Sequence, residues 1–414
     1  MKVMESDEQM SDIMDRHKIV VIWGTGVYGR KFQKKIFSFE RKEDIYFCDN
    51  NAKNERGGVF PKLLTPSELN ERVKNGQDIA IVICVKNDNA VYEIQAQLSA
   101  MGIPDKDIYR FKTDAGSISM KDEVKLKRSK GYFNGKKPVF PLADSAAVKC
   151  IEDKIEAGAP FLFSRWGRVE ARAVLDYVMG FPGKVEDSLM NNAGVFPLDP
   201  DIIRFFSEES IAAAKEIDIL CAWFHNFDGE DKLFRWYSPE AVIVGSSVYY
   251  PFFPESAWTR KLKGRRVLVI HPFAELMEKQ YKNRALLWEN EEILPEFDLI
   301  TYKAVQSLGG NSGYASWAEA LNKMKRDIEE LEFDIALIGC GAYGMPLGGF
   351  IKNKMHRQAM HIGGTLQVLF GIKGARWEGE PYNYDKKLYN EFWVRPGEKL
   401  KPQNYMDVEG GCYW

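Results

Sequence analysis

The chain has 414 residues, 45% of them hydrophobic and 13% aromatic, with 57 basic against 59 acidic side chains and a net charge of −2. That length suits two domains of about 100–200 residues each, and the charge balance predicts neither nucleic-acid affinity nor a polyanionic surface. No apolar run reaches the ~18–20 residues of a membrane span, and the polar, acidic stretch 1–17 is unlike a signal peptide. The reading is therefore a cytoplasmic protein, with peripheral membrane contact left open. Cys48, Cys84, Cys150, Cys221, Cys340 and Cys412 form no C-x-x-C pair and no zinc spacing, so they read as reduced thiols, several of them in apolar runs.

From residue 18 the chain alternates between short β-branched runs and helical patterns. Ile19 to Trp23, Ile45 to Phe47, Ile79 to Val85 and Asp107 to Phe111 read as strands. Thr65-Pro66-Ser67-Glu68 reads as a helix cap with proline in the first turn, and Val91 to Met101 as a helix. This alternation implies a parallel, right-handed wound sheet over residues 16–112. The lysine-rich stretch 113–144 reads as a solvated, basic linker.

The second domain, 145–380, repeats the alternation. Ala147 to Ala157 and Trp317 to Leu331 read as helices. Pro160 to Phe163, Ile217 to Trp223, Ala241 to Gly245, Arg266 to Ile270, Asp298 to Tyr302, Asp334 to Ile338 and Gln358 to Ile362 read as strands. Leu262 to Ile270 and Phe333 to Leu347 read as the clearest buried strands. Residues 381–414, aromatic and proline-bearing but aperiodic, are expected to pack on the second domain. The fold class is thus α/β, two Rossmann-like parallel-sheet domains joined by a basic linker.

Each domain carries a glycine-rich strand-to-helix turn. The first is Gly24-x-Gly26-x-x-Gly29, with Asp49 ending the next strand where a ribose-binding acid belongs. That pattern suits a nucleotide and leaves NAD(P) open as a cofactor; tight packing with no ligand is the competing reading. The second is Gly339-x-Gly341-x-x-Gly344, with no acid after the following strand, which favours phosphate or nucleotide-sugar binding over a second NAD site.

Other residues of chemical interest cluster in the second domain. Arg165 and Arg168 suit a diphosphate clamp, and Glu170 suits a base or metal ligand. Asn191 and Asn192 open a polar, glycine-bearing loop whose amides suit sugar hydroxyls or a plain turn. His271 follows a strand at the carboxyl edge where α/β sheets hold ligands; it is read as a structural histidine or a fallback base, and His225 is placed similarly. Gln306 to Gly313 forms a loop of the same edge. The nucleophile elbow, the Walker A lysine and the H-E-x-x-H pair are missing from the sequence.

At SRWGRVEA, NNAGVFP, DIALIGCGAYGMPL and AMHIGG the second domain resembles the GT-D type glycosyltransferases of bacterial cell-surface polysaccharide and glycoprotein assembly. Against that family's R-[FYW]-G-D-G-E pattern, Arg165, Gly167 and Glu170 match, while Arg168 replaces the aspartate and Val169 the second glycine. The resemblance implies a sugar-nucleotide donor and a glycan acceptor. The missing aspartate weakens the divalent metal that the pattern implies, because one carboxylate bridges a metal to phosphates poorly. Through IWGTGVYG and FCDNN, residues 18–111 resemble the small Rossmann-like modules attached to envelope-polysaccharide enzymes, including the nucleotide-sugar-binding half of bacterial sugar acetyltransferases.

The leading expectation is glycosyl transfer from a nucleotide sugar, run in the second domain. The alternatives are an NAD(P)-dependent oxidoreductase acting on a nucleotide sugar, and a non-catalytic nucleotide-binding scaffold of polysaccharide assembly.

Overall fold

A computed structural model describes residues 2–4, 7–25, 44–50, 62–85, 88–111, 131–180, 187–223, 229–310 and 312–414. The chain divides into two compact units, Met1–Asp122 with Val178–Lys184, and Glu123–Tyr177 with Val185–Trp414.

The first unit is built on a six-stranded sheet of β1 (Lys2–Met4), β2 (Ile19–Trp23), β3 (Ile45–Cys48), β4 (Leu63–Leu64), β5 (Ile79–Ile83) and β6 (Ile108–Phe111), in the order β1-β6-β5-β2-β3-β4. Every pairing is parallel. Side chains of β2 alternate between faces: Val20 and Ile22 join one core cluster, Val21 and Trp23 the other. β5 is buried along its whole length, which explains its unbroken IAIVI run. Thr65 caps helix Pro66–Lys74 reciprocally: its hydroxyl accepts from the Glu68 amide (3.2 Å) while its own amide donates to the Glu68 carboxylate (2.7 Å).

The first unit begins earlier than residue 16. Strand β1 pairs with β6, and Ile13 and Met14 of helix Asp7–Arg16 are buried in the same core as Met4. A three-residue strand carries too short a pattern to be read locally.

The second unit holds seven strands: β9 (Leu162–Ser164), β10 (Ile219–Cys221), β11 (Val242–Val244), β12 (Arg266–His271), β13 (Asp298–Lys303), β14 (Ile335–Ile338) and β15 (Gln358–His361). Their order is β11-β10-β9-β15-β14-β12-β13, all parallel. Connections leave β12 towards β13 and leave its neighbour β14 in the opposite sense towards β15, so the carboxyl ends of β12 and β14 flank a topological switch point. Two apolar runs read as strands are only partly so. Leu262 ends a 3-10 turn before β12, and Leu347 lies inside helix Gly344–Asn353, because Gly339 ends the strand.

Within the stretch expected as linker, β7 (Tyr132–Phe133) and β8 (Pro138–Val139) form an antiparallel hairpin in this unit. The Tyr132 hydroxyl donates to the buried Glu230 carboxylate (2.5 Å), and the Leu142 amide donates to the Ile243 carbonyl (2.9 Å). The segment 381–414 also lies in this unit. Trp393 and Trp414 are core residues, and the Trp288 ring meets Trp393 edge-on at 5.1 Å.

Candidate functional site at the carboxyl edge of the second sheet

The second glycine turn lies where β12, β14 and β15 end. The Gly339 amide donates to the Ile270 carbonyl (2.9 Å), extending the β12–β14 ladder by one bond. A side chain at Gly339 would place Cβ 2.5 Å from the Gly363 oxygen and 2.9 Å from the His271 ring, so three strand ends converge there only because residue 339 has none. Gly341 adopts φ +59°, the left-handed region. The next amide, of Ala342, donates to the Ala193 carbonyl (3.0 Å), which ties the Asn191–Gly194 loop to the turn. Gly344 opens the following helix and is buried, with the His361 ring 2.5 Å from where its Cβ would be. It therefore serves close packing beneath the turn.

Over this turn lies a recess with about 530 Å³ of empty space, part of it open to solvent. Asn192, His271, Gly339, Gly341, Gln367 and Tyr413 contribute to its walls, together with Phe273, Gln306, Ser307, Cys340, Tyr343 and smaller or aliphatic neighbours. Arg165, Arg168, Glu170, Asn191 and Gly344 do not line it. Every side chain of the wall is uncharged at neutral pH. Burial drives the His271 imidazole down to about 3, and holds the Cys340 and Tyr343 protons on; Tyr413 is pushed up to about 12. The Nδ1 atom of His271 accepts the Phe273 amide (2.9 Å), which puts the proton of the neutral ring on Nε2. His271 is thereby a hydrogen-bond donor, and burial, by lowering its pKa to about 3, disfavours the protonated form that a fallback base would have to reach.

The walls are well braced. Tyr343 stacks on Trp317 at 5.1 Å, and its hydroxyl shares a 2.9 Å bond with Ser307, which itself donates to the Gly194 carbonyl (2.8 Å). Tyr413 is fixed by Arg376, whose Nη1 donates to the tyrosine hydroxyl (2.9 Å), and by Gln367, which donates to its carbonyl (2.8 Å). Gln367 and Tyr413 escape a sequence reading. Gln367 is one polar residue in the apolar run TLQVLF, and Tyr413 lies in an aperiodic stretch. A lone glutamine in a buried run is nonetheless a signal, because a buried amide needs partners.

Arg165 follows β9, next to the recess but outside it. Its guanidinium lies against Gly363, where a Cβ would come within 2.6 Å of Nη2. Its Nε donates to the Tyr249 hydroxyl (3.1 Å), and it sits over the Trp223 and Tyr249 rings at 5.6 and 5.4 Å. Glu170, in the first turn of helix Arg168–Val178, folds its carboxylate back over Gly167, 2.0 Å from where a Cβ would stand. Burial raises its pKa above the ordinary 4.5, while the Arg165 charge pulls in the opposite direction. Arg168 is exposed at the start of the same helix. The described residues contain no group of three potential metal ligands. Glu170, turned onto its own helix start beside a guanidinium, does not fit the cage that a phosphate-bridging divalent ion needs.

In the first unit, Gly24 occupies the corresponding reversal. Its amide donates to the Cys48 carbonyl (2.8 Å), it adopts φ +116°, and a Cβ would meet the Cys84 oxygen at 2.9 Å. Asp49 Oδ2 accepts from both the amide and the hydroxyl of Thr25, each at 2.8 Å. The acid expected on a ribose thus braces the turn itself. Gly26, Gly29 and His225 lie outside the described residues.

No protein-family profile matches the chain, and no curated protein matches it. Two solved structures are similar to part of it. One is described as "Selenomethionine substituted structure of domain of unknown function 1792 (DUF1792)", with TM-score 0.34 and 12% identity over 67% of this chain and 100% of that one. The other is described as "The highly conserved domain of unknown function 1792 has a distinct glycosyltransferase fold", with TM-score 0.30 and 12% identity over 62% of this chain and 100% of that one. Scores at this level do not establish a common fold, and the chemistry below rests on this chain's own residues. No helix among the described residues is long and apolar enough to cross a membrane.

Proposed function

We propose that the second unit transfers a sugar from a nucleotide-activated donor to a hydroxyl of a glycan acceptor. The observation that carries this reading is the uncharged recess at the carboxyl ends of β12 and β14, with a guanidinium and a carboxyl of raised pKa next to it. Open α/β sheets place ligands at such crevices. In the step proposed, the acceptor oxygen forms a bond to the anomeric carbon as the bond from that carbon to the diphosphate oxygen breaks. The nucleoside diphosphate leaves with the electron pair, and the acceptor's proton passes to the Glu170 carboxylate. Arg165 offsets the negative charge that develops on the leaving group, and Arg168 meets the diphosphate from the solvent side. The raised pKa of Glu170 brings it nearer to the operating pH of a general base.

The test is release of nucleoside diphosphate from a panel of UDP-, GDP- and dTDP-sugars in the presence of simple glycoside acceptors. We expect release with at least one donor, and a fall of about 10²–10⁴-fold on Glu170→Gln with unchanged circular dichroism. Full activity in that variant removes Glu170 from the mechanism. Absence of release from every donor refutes the transfer.

A further inference from the structure

We infer that the recess above Gly339 and Gly341 seats the uncharged sugar ring of the substrate rather than its phosphates, and that Gln367 and Asn192 read the ring's hydroxyls. The inference rests on the transfer reading and specifies which part of the donor or acceptor the recess holds.

Gln367 is fully buried. Its Nε2 donates to two carbonyls, of Lys373 (2.9 Å) and Tyr413 (2.8 Å), which fixes the amide so that Oε1 is the remaining acceptor. That oxygen, and Oδ1 of Asn192, are buried with no hydrogen-bond donor among the described residues. Both residues line the recess. Buried amide oxygens in native proteins nearly always accept from a protein group or an ordered water, so two orphans at one recess call for a donor that a ligand hydroxyl can supply. An ionised phosphate has only acceptor oxygens and cannot supply it; a sugar hydroxyl donates.

Other residues of the same recess meet the other half of a hydroxyl's needs. The amides of Cys340 and Gly341 take no backbone carbonyl among the described residues, and His271 carries its proton on Nε2. Donors and acceptors thus share one small space, which suits groups that are both. The wall carries no formal charge to offset a diphosphate, whose desolvation there would go uncompensated, and Arg165 lies outside it. Tyr343, Phe273 and Tyr413 add ring surface for the apolar face of a sugar.

The experiment uses the full chain without nucleotide. Saturation-transfer NMR with the methyl glycosides of glucose, galactose, rhamnose and N-acetylglucosamine is expected to show binding of at least one, unaffected by inorganic pyrophosphate. Asn192→Ala, at a partly exposed position that leaves the Gln367 contacts intact, is expected to weaken that glycoside roughly tenfold, the loss of one good hydrogen bond. Displacement of the glycoside by pyrophosphate, unchanged affinity in Asn192→Ala, or no binding by any glycoside overturns the inference. The two proposals separate cleanly. Turnover of a sugar nucleotide without glycoside binding sinks this inference and leaves transfer standing. Asn192-dependent glycoside binding with no turnover of any donor does the reverse.

Discussion

At the scale of single residues, burial decides what each titratable group can do. His271 and His361 are both driven from the ordinary 6.5 to about 3, chiefly by burial, with the Arg165 charge adding to the effect on His361. His361 spends its Nδ1 on the Ser164 hydroxyl (3.0 Å) and its ring edge on Gly344. Because the folded pKa lies below the unfolded one, the unfolded chain binds more protons between those values. The stabilisation is complete above pH 6.5 and is lost as pH falls towards 3. Each histidine then contributes a slope of about 1.4 kcal/mol per pH unit. Urea titrations at pH 7, 6 and 5 are expected to show this decline, and His271→Asn should flatten it relative to wild type. An equal slope in the variant would mean that His271 is not buried neutral. Position was legible here and role was not: a histidine after a strand is visible in sequence, whereas its protonation depends on the neighbours that enclose it. Gln367 and Tyr413 escaped for the same reason, since their partners lie 46 residues apart along the chain.

Glu170 and Arg165 give a second prediction at this scale. Burial raises the Glu170 pKa and Arg165 restrains that rise. With Glu170 as base, its ionised form is the active one, so activity climbs with pH through its pKa. Arg165→Met removes the restraint, and the acid limb of the kcat/KM profile should move to higher pH. A limb that stays fixed, or moves lower, would place the base elsewhere.

At the scale of elements, glycine separates packing from binding. Gly339 and Gly341 face the recess, but Gly344 is closed against His361. Gly344→Ala should therefore destabilise by about 1–3 kcal/mol, the usual cost of overpacking a buried contact. The imidazole that would have to yield is held by Ser164 and cannot swing away as the end of a flexible chain does. Gly397→Ala, with open space around its Cβ, is the matched control and should stay within about 0.5 kcal/mol of wild type. Equal urea midpoints for the two variants would show that the His361 contact is soft. Elements themselves were readable where the chain repeats a local pattern. The parallel strands buried on both faces appear as unbroken β-branched runs, and the Thr65 cap as a four-residue signature. β1, β4, β7 and β8 are two or three residues long, and their pairing rather than their composition makes them strands.

At the scale of the whole molecule, alternation of strand and helix was enough to predict parallel sheets, but not the strand orders, because those follow from long-range pairing. The order matters: it sets the reversals between β2 and β5 and between β12 and β14, and hence the two glycine turns beside which a ligand would lie. The two units have separate hydrophobic cores, so a ligand bound in one should protect that one. Hydrogen exchange on the full chain with the donor sugar nucleotide is expected to slow at residues 339–344 and 361–367 while leaving 19–25 and 45–50 unchanged. With NAD(H) in its place, no segment should slow, because Asp49 already spends Oδ2 on the Thr25 amide and hydroxyl. Protection of 19–25 and 45–50 by NAD(H) alone would instead make the first unit the centre of a dinucleotide-dependent activity. The acid would then have to release Thr25 to reach a ribose, exchanging two 2.8 Å bonds for ligand contacts, and Thr25→Ala should strengthen NAD(H) binding.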